Sequence, residues 1–502
     1  MTEALKICVI GAGPAAFGTL ARLVQLKKDG LALDISVFSS GEVDQEEQIT
    51  ASYRERYEPR DINAILKKGK ALGASGILPP RSFFNQVLQS HQGNDGLKTE
   101  IKVSKTFGGL GNYWSSSVFP MHSFSDPINE KLGDLSIHYK FIADQISISG
   151  LKDDPLNHFF DDAAINNPPI SVGKSLCKLK GRWDKVNGKN LDIAIGLNRF
   201  ALNTHEDERN GCVQCGDCMY GCPRDAMFRA AKPIGDFARQ GLCQIVHEPV
   251  MSVKKEGQKV RLKTEKNSHV FDKVFVCTGA LGSVDLFGRS YGAPDKAVEL
   301  YDNLLWYFPA FSFLPQTMRK RDKHFAFAEL AGGIFDHSDD IYNHLLVSTL
   351  PEAVFDNMLG RNKVSQALTS WLSHHILIGA MYGSNKEFVR YGIGSVNGEW
   401  KALSIDKSVD AIDGAKFALF KDHLAQNGWR TSERLVMENA TSGHYTANLG
   451  VAYAIKNLAR DGLFDDNIFV CDTSSWDGPS MSQQHTFTIM ANAARIVENT
   501  FS

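Results

Sequence analysis

Four of the nine cysteines of this 502-residue chain fall in one run, Cys212-Val-Gln-Cys215-Gly-Asp-Cys218-Met-Tyr-Gly-Cys222-Pro223. The spacing C-x2-C-x2-C-x3-C-P is a bacterial ferredoxin signature. Short turns let the thiolates of Cys212, Cys215 and Cys218 converge on one cube of iron and sulfide. Cys222 completes that set, or it is spare and the fourth ligand is a remote cysteine, with Cys177 and Cys243 nearest in sequence. A four-iron cluster (4Fe-4S) is expected over a three-iron one. The competing readings are a zinc knuckle and a cysteine-rich loop with no metal. A second chemical pattern opens the chain. Gly11-Ala-Gly13-Pro14-Ala15-Ala16 follows the apolar run 5–10 and precedes a helix expected from about Ala15 to Leu26. In G-x-G-x-x-A the first glycine permits a tight turn, the second lets backbone approach a pyrophosphate, and the small third residue lets helix and strand pack closely. The free N–H groups of the helix start then receive phosphate oxygens.

The elements that must position these groups can be read in order. The next strand, Asp34–Phe38, ends at Ser39 and Ser40, where an acid for the ribose hydroxyls is expected; Ser39 or Glu42 is the substitute. Residues 43–100 are polar and mixed in sign, and Tyr53–Arg60 reads as a solvated helix face or loop. Phe107-Gly108-Gly109-Leu-Gly111-Asn112-Tyr113-Trp114 combines glycines with large aromatics, which suits backbone passing close to a flat ligand. Residues 132–150 read as a helix ended by glycine. Ile193–Ala201 reads as a strand leading to the cysteine run, and a helix is expected to start just after Pro223. Two or three short strands follow in 244–265. Lys273-Val-Phe-Val-Cys277-Thr278-Gly279 is another apolar strand entering a glycine turn.

Residues 301–430 have another texture, with β-like runs at Trp306–Leu314, His324–Glu329, His375–Met381, Phe388–Ile393 and Trp400–Ile405. Their alternation predicts an antiparallel sheet in a second domain. The C-terminal part returns to α/β style. Asn467–Asp472 is a strand ending in an acid, and a helix starts at His485.

Taken together, these pieces resemble the glucose–methanol–choline family of FAD oxidoreductases. The resemblance rests on the first glycine loop, Gly108-Gly109, VFVCTGALGS, GHYTANLG and the final DTSSWDGPSMSQQHTFTIMANAARI, in that order. It implies an α/β fold: a discontinuous, Rossmann-like FAD domain from 1–60, 190–300 and 431–502, carrying the cysteine segment 205–232. Flavin-covering loops and helices would occupy 61–189, and a substrate domain with an antiparallel sheet 301–430. It implies FAD contacts at Gly11, Gly13, Pro14, Ala15, Ala16, Ser39, Gly108, Gly109, Asn112, Thr278, Gly279, Asp472, Thr473 and Thr486. It also implies an active-site pair, His444 and His485. The segment around His444 departs from the family pattern H-x-x-G-T-x-x-M-G, with Ala447 for the first glycine, Asn448 for the threonine and no methionine.

The chemistry that follows is oxidation of a hydroxyl group: one histidine takes the proton, the other holds the oxygen, and the flavin takes the hydride. A cluster would pass electrons singly to a ferredoxin-like partner and favours a dehydrogenase over an oxidase. Two other functions fit the same residues: a flavin reductase fed by a ferredoxin-like donor, and a non-redox protein with structural FAD.

Composition narrows the rest. Length suggests two domains or three. Hydrophobic content of 43% and charged content of 22% are those of a soluble globular chain. A net charge of −2 gives no case for nucleic acid or an anionic membrane surface. No apolar run reaches the ~20 residues of a membrane span. With no signal-peptide pattern and a cysteine usage that suits reducing conditions, the expected location is the cytoplasm.

Overall fold

The computed structural model describes residues 3–41, 85–88, 101–112, 114–120, 127–183, 190–216, 218, 222, 224–294, 296–318, 323–349, 363–372, 374–396, 399–439, 443–479 and 482–502. Tyr53–Arg60, Glu42, Tyr113 and most of 43–100 lie outside these residues.

A six-stranded sheet carries the first glycine loop. Its order is Leu463–Asp465, Ile468–Val470, Lys273–Val276, Leu5–Ile10, Leu33–Phe38 and Gln244–Val246. Leu5–Ile10 is central and runs parallel to both neighbours. It is buried from Ile7 to Ile10, which is why it reads as an unbroken apolar run rather than an alternating one. The first helix, Pro14–Lys28, covers one face together with the last helix, Thr486–Phe501. These two helices meet without space for a side chain: a Cβ on Gly18 would lie 2.2 Å from the Met490 carbonyl oxygen.

Two larger antiparallel sheets lie beside it, with a three-stranded and two two-stranded sheets besides. The larger has seven strands, in the order Met437–Asn439, Leu305–Phe311, Ile376–Tyr382, Ile341–Thr349, Leu330–Asp336, Leu191–Leu197 and Gly181–Trp183. The smaller runs Glu399–Lys407, Phe388–Val396, Val298–Asn303 and Thr446–Ala447. The α/β class with a parallel and an antiparallel part is therefore present. The boundaries expected at 190 and 431 do not follow the sheets. Leu191–Leu197 pairs with Leu330–Asp336, and Met437–Asn439 pairs with Leu305–Phe311, so both belong to the antiparallel layer.

Other expectations change locally. The helix expected across 132–150 is confined to Ser136–Ala143. Asp144 caps it, and Ile148–Ser149 is instead a strand paired with Phe200–Ala201. No strand forms at 324–329; the strand starts at Leu330. The helix after the cysteine run begins at Ala231, seven residues later than the segment after Pro223 suggested.

Candidate active site and cysteine pocket

The residues expected to touch the cofactor gather at one end of the six-stranded sheet. Gly11 follows Ile10, Ser39 follows Phe38, Thr278 and Gly279 come just after Val276, and Asp472 comes just after Val470. These are the carboxyl ends of four adjacent strands, on both sides of the central one, where the chain order reverses. Open α/β sheets bind ligands in that crevice.

Local geometry fits a dinucleotide there. Gly11 has φ +112°, and a Cβ on it would lie 2.4 Å from the Cys277 carbonyl oxygen. The first helix begins at Pro14 with Gly13 as its N-cap, no capping side chain and no acid in its first turn. Its free N–H groups and positive dipole end therefore remain for phosphate. Ala15 and Ala16 are buried in that first turn. The second glycine loop folds over the first: a Cβ on Gly111 would meet the Pro14 ring at 2.7 Å, and one on Gly13 would sit 3.5 Å from the Gly108 carbonyl oxygen. Gly108 and Gly109 both have positive φ. Asn112 is fully buried and donates to the Phe107 carbonyl at 2.7 Å. Among the described residues its Oδ1 finds no donor. A buried amide oxygen left unmatched in a glycine-lined loop suits a ligand N–H.

Asp472 holds two turns together. Its Oδ2 accepts from the Gly279 N–H at 2.9 Å and the Ser283 hydroxyl at 2.6 Å. Its Oδ1 accepts from the N–H and the hydroxyl of Ser474 at 3.0 and 2.6 Å. These four bonds use the roughly four acceptor positions of a carboxylate. A ribityl hydroxyl would have to displace one of them. Burial pushes its carboxyl above the usual range, against the pull of those bonds. Ser283 also bonds the Thr278 hydroxyl. Thr473 donates to the Tyr445 carbonyl, one residue from His444, and Thr486 starts the last helix.

His444 and His485 come together from different sheets and helices. Their ring centroids are 5.2 Å apart. His485 is the N-cap of the last helix and is 2% exposed. Burial pushes its pKa well below the usual histidine value, and neighbouring His444 adds to the shift. The ring bonds the Gln483 backbone, so in the neutral form one nitrogen donates there and the other carries a lone pair. His444 precedes the strand Thr446–Ala447, and its backbone N–H donates to Asp302 at 3.1 Å. The Gly443 N–H reaches the same carboxylate at 3.0 Å. Asp302 is buried in the neighbouring strand and so fixes the His444 turn.

Three polar residues beside the pair were not picked out in the sequence. The Tyr382 ring lies 6.2 Å from the His444 ring. Its hydroxyl accepts from the Gln484 amide at 3.2 Å, and the Gln484 carbonyl accepts from Ser115 at 3.2 Å. Tyr382 ends a strand of the seven-stranded sheet. Burial raises its pKa, which keeps it a hydroxyl donor.

The whole chain superposes on solved oxidoreductases. Pyridoxine 4-oxidase from Mesorbium loti matches with TM-score 0.56 at 14% identity, over 99% of both chains. A fungal aryl-alcohol oxidase matches with TM-score 0.55 at 10% identity, over 99% of both chains. Formate oxidase from Aspergillus oryzae matches with TM-score 0.53 at 11% identity, over 99% of this chain and 98% of the other. The chain shares the fold of these oxidases. No protein-family model matches the chain, and no curated protein matches it in sequence.

The cysteine run is a feature of its own on this scaffold. Cys212, Cys215, Cys218 and Cys222 line one small pocket with Leu202, Val213, Arg224 and Met227. None of the four is in a disulfide. Burial pushes the Cys212 thiol up to about 12 and Cys218 well above its usual value. Among the described residues, no three His, Cys, Asp or Glu side chains close on a position for a single metal ion. Nor is any described helix long and apolar enough to cross a membrane.

Proposed function

We propose that this chain is an FAD-dependent oxidoreductase that removes a hydride from a CH–OH group of a small-molecule substrate. The observation that carries this reading is the pair of imidazoles, 5.2 Å apart, beside a crevice built for a dinucleotide. The similar folds named above include enzymes described as acting on pyridoxine and aryl alcohols, which supports the same class of substrate.

FAD, when bound, supplies the hydride acceptor. Gly11 and Gly13, with the start of the first helix, would hold its pyrophosphate; Ser39 would face the ribose. Gly108, Gly109 and Asn112 would lie against its ring, and the 278–279 and 472–473 turns would close the crevice. The residues of this chain do the proton chemistry. Neutral, buried His485 presents a lone pair to the substrate hydroxyl and accepts its proton. His444, fixed through Asp302, holds the same oxygen while its charge develops. The packed aromatics around them, Trp476 and Tyr382, exclude water.

The cysteine run supports a dehydrogenase whose electrons leave singly through an iron–sulfur cluster to a ferredoxin-like partner. Nine cysteines with no disulfide between them suit a reducing cytoplasm.

The test is anaerobic flavin reduction by a panel of primary alcohols that includes pyridoxine and benzyl alcohol. His444→Ala is expected to keep FAD and lose alcohol-driven bleaching. Bleaching at the parent rate would remove His444 from the site. A parent protein purified without flavin would sink the whole reading.

A further inference from the structure

The cysteine pocket answers a question that the spacing left open. In a C-x2-C-x2-C-x3-C-P run the last cysteine either closes the local cluster or serves another one. Here Cys222 lines the same pocket as Cys212, Cys215 and Cys218. Cys177 is exposed at the end of the short helix Lys174–Cys177, and Cys243 sits in the core beneath the first helix. Neither lines the pocket.

We propose that Cys212, Cys215, Cys218 and Cys222 alone supply the four ligands of one four-iron cluster, with no remote cysteine. This rests on the one-electron half of the function proposed above and not on its flavin half.

Three features make the pocket a cradle for inorganic sulfur rather than a chance gathering of thiols. Backbone N–H groups already point at the sulfurs: Gln214 donates to Cys212 at 3.4 Å and Ala226 donates to Cys222 at 3.2 Å. The Ala326 backbone serves Cys218. Such donors offset the negative charge that four thiolates bring. The loop is also held in shape. Gln214 and Gly216 have φ of +55° and +83°, and the buried Gln214 amide bonds the Ser171 backbone in both directions at 2.9 Å. Finally, among the described residues the lining joins the four thiols with apolar Leu202, Val213 and Met227 and with no carboxylate or imidazole, which is the sulfur-only ligand set of an iron–sulfur cluster.

The wall of this pocket leads to the flavin loop. Met227 lines it, and the next residue, Phe228, accepts the Trp114 indole N–H at 3.0 Å and packs on Phe17 of the first helix at 4.9 Å. A cluster here is therefore one residue removed from the shell of the cofactor crevice, which suits an electron relay better than a structural clip.

Ligation replaces four S–H bonds by four Fe–S bonds, and the protons go to solvent; two ferric ions, two ferrous ions and four sulfides come from the cell or from reconstitution and make up the core without further oxidation. The experiment uses the full chain, purified without oxygen and reconstituted with equal ferric and ferrous iron and sulfide. About four irons and four sulfides per chain are expected, with a paramagnetic signal after dithionite. Cys222→Ser should lose that signal, while Cys177→Ser and Cys243→Ser keep it. As a measurement that needs no variant, alkylation followed by mass spectrometry should find all four run cysteines protected when loaded and labelled after chelation. Cys222 labelled in the loaded protein would overturn the assignment. So would iron lost from Cys177→Ser or Cys243→Ser, one zinc without sulfide, or no iron after reconstitution. Flavin, measured separately, reports on the other half of the function.

Discussion

Asp472 offers the sharpest test of how the crevice is held. Replacing it by alanine leaves the buried backbone N–H of Ser474 without an acceptor, while the N–H of exposed Gly279 can turn to water. The stranded donor costs roughly 1–3 kcal/mol, and the hydroxyls of Ser283 and Ser474 can turn elsewhere. Burial already disfavours the Asp472 charge, and removing it recovers part of that cost, which places the expectation at about 1–2 kcal/mol. Asparagine keeps an oxygen toward Ser474 and sets an NH2 group against the Gly279 N–H. It strands no buried backbone donor and costs less, about 0.5–1 kcal/mol. Both turns line the cofactor crevice, so flavin content should fall in the same order, parent above Asn above Ala. Urea denaturation and flavin absorbance per chain measure the two effects. An alanine variant with the parent midpoint and full flavin, or an Asn variant weaker than Ala, would refute this account.

Three further outcomes are expected. Gly18→Ala places a Cβ 2.2 Å from the Met490 carbonyl and should cost about 1–3 kcal/mol by overpacking, read as a lower thermal midpoint; an unchanged midpoint contradicts the helix contact. His485 is held neutral, so between pH ~6.5 and its lower folded pKa the unfolded chain binds a proton that the folded one does not. Its share of stability is complete above pH ~6.5 and falls as pH drops below that toward the folded pKa; His485→Asn should remove that share, and parallel acid titrations of parent and variant would exclude it. Tyr382→Phe strands the Gln484 amide beside His485, at about 1–2 kcal/mol, and should slow alcohol-driven flavin reduction; unchanged stability and rate would release Tyr382 from the site.

The parallel sheet was legible because its strands are buried on both faces and end in glycine turns, which leaves a strong local signal at Ile7–Gly13, at Lys273–Gly279 and at Asn467–Asp472. The antiparallel layer was legible only in part. Leu330–Asp336 has two glycines mid-strand. Gly332 lies against the Ala194 carbonyl and Gly333 against the Tyr342 ring, so close approach of neighbours replaces side-chain alternation. Ile341–Thr349 buries Asn343 and His344 through long-range partners, and that polarity hid the strand. The two histidines could be picked out from short motifs. Tyr382, Gln484 and Asp302 could not, because their roles arise from contacts between residues far apart in sequence. The cysteine spacing left a cluster, a zinc knuckle and a metal-free loop open, and only the shared pocket separates Cys222 from Cys177 and Cys243.

The strand order of the parallel sheet also sets a schedule for assembly. Lys273–Val276 docks beside Leu5–Ile10, and Ile468–Val470 docks beside Lys273–Val276. During translation, the first glycine turn therefore leaves the ribosome more than four hundred residues before the acid that ties down its neighbouring turn. Such distant pairings make for slow maturation. The thiol run emerges whole, within eleven residues, so on the cluster proposal a nascent chain would take up iron long before its crevice is closed.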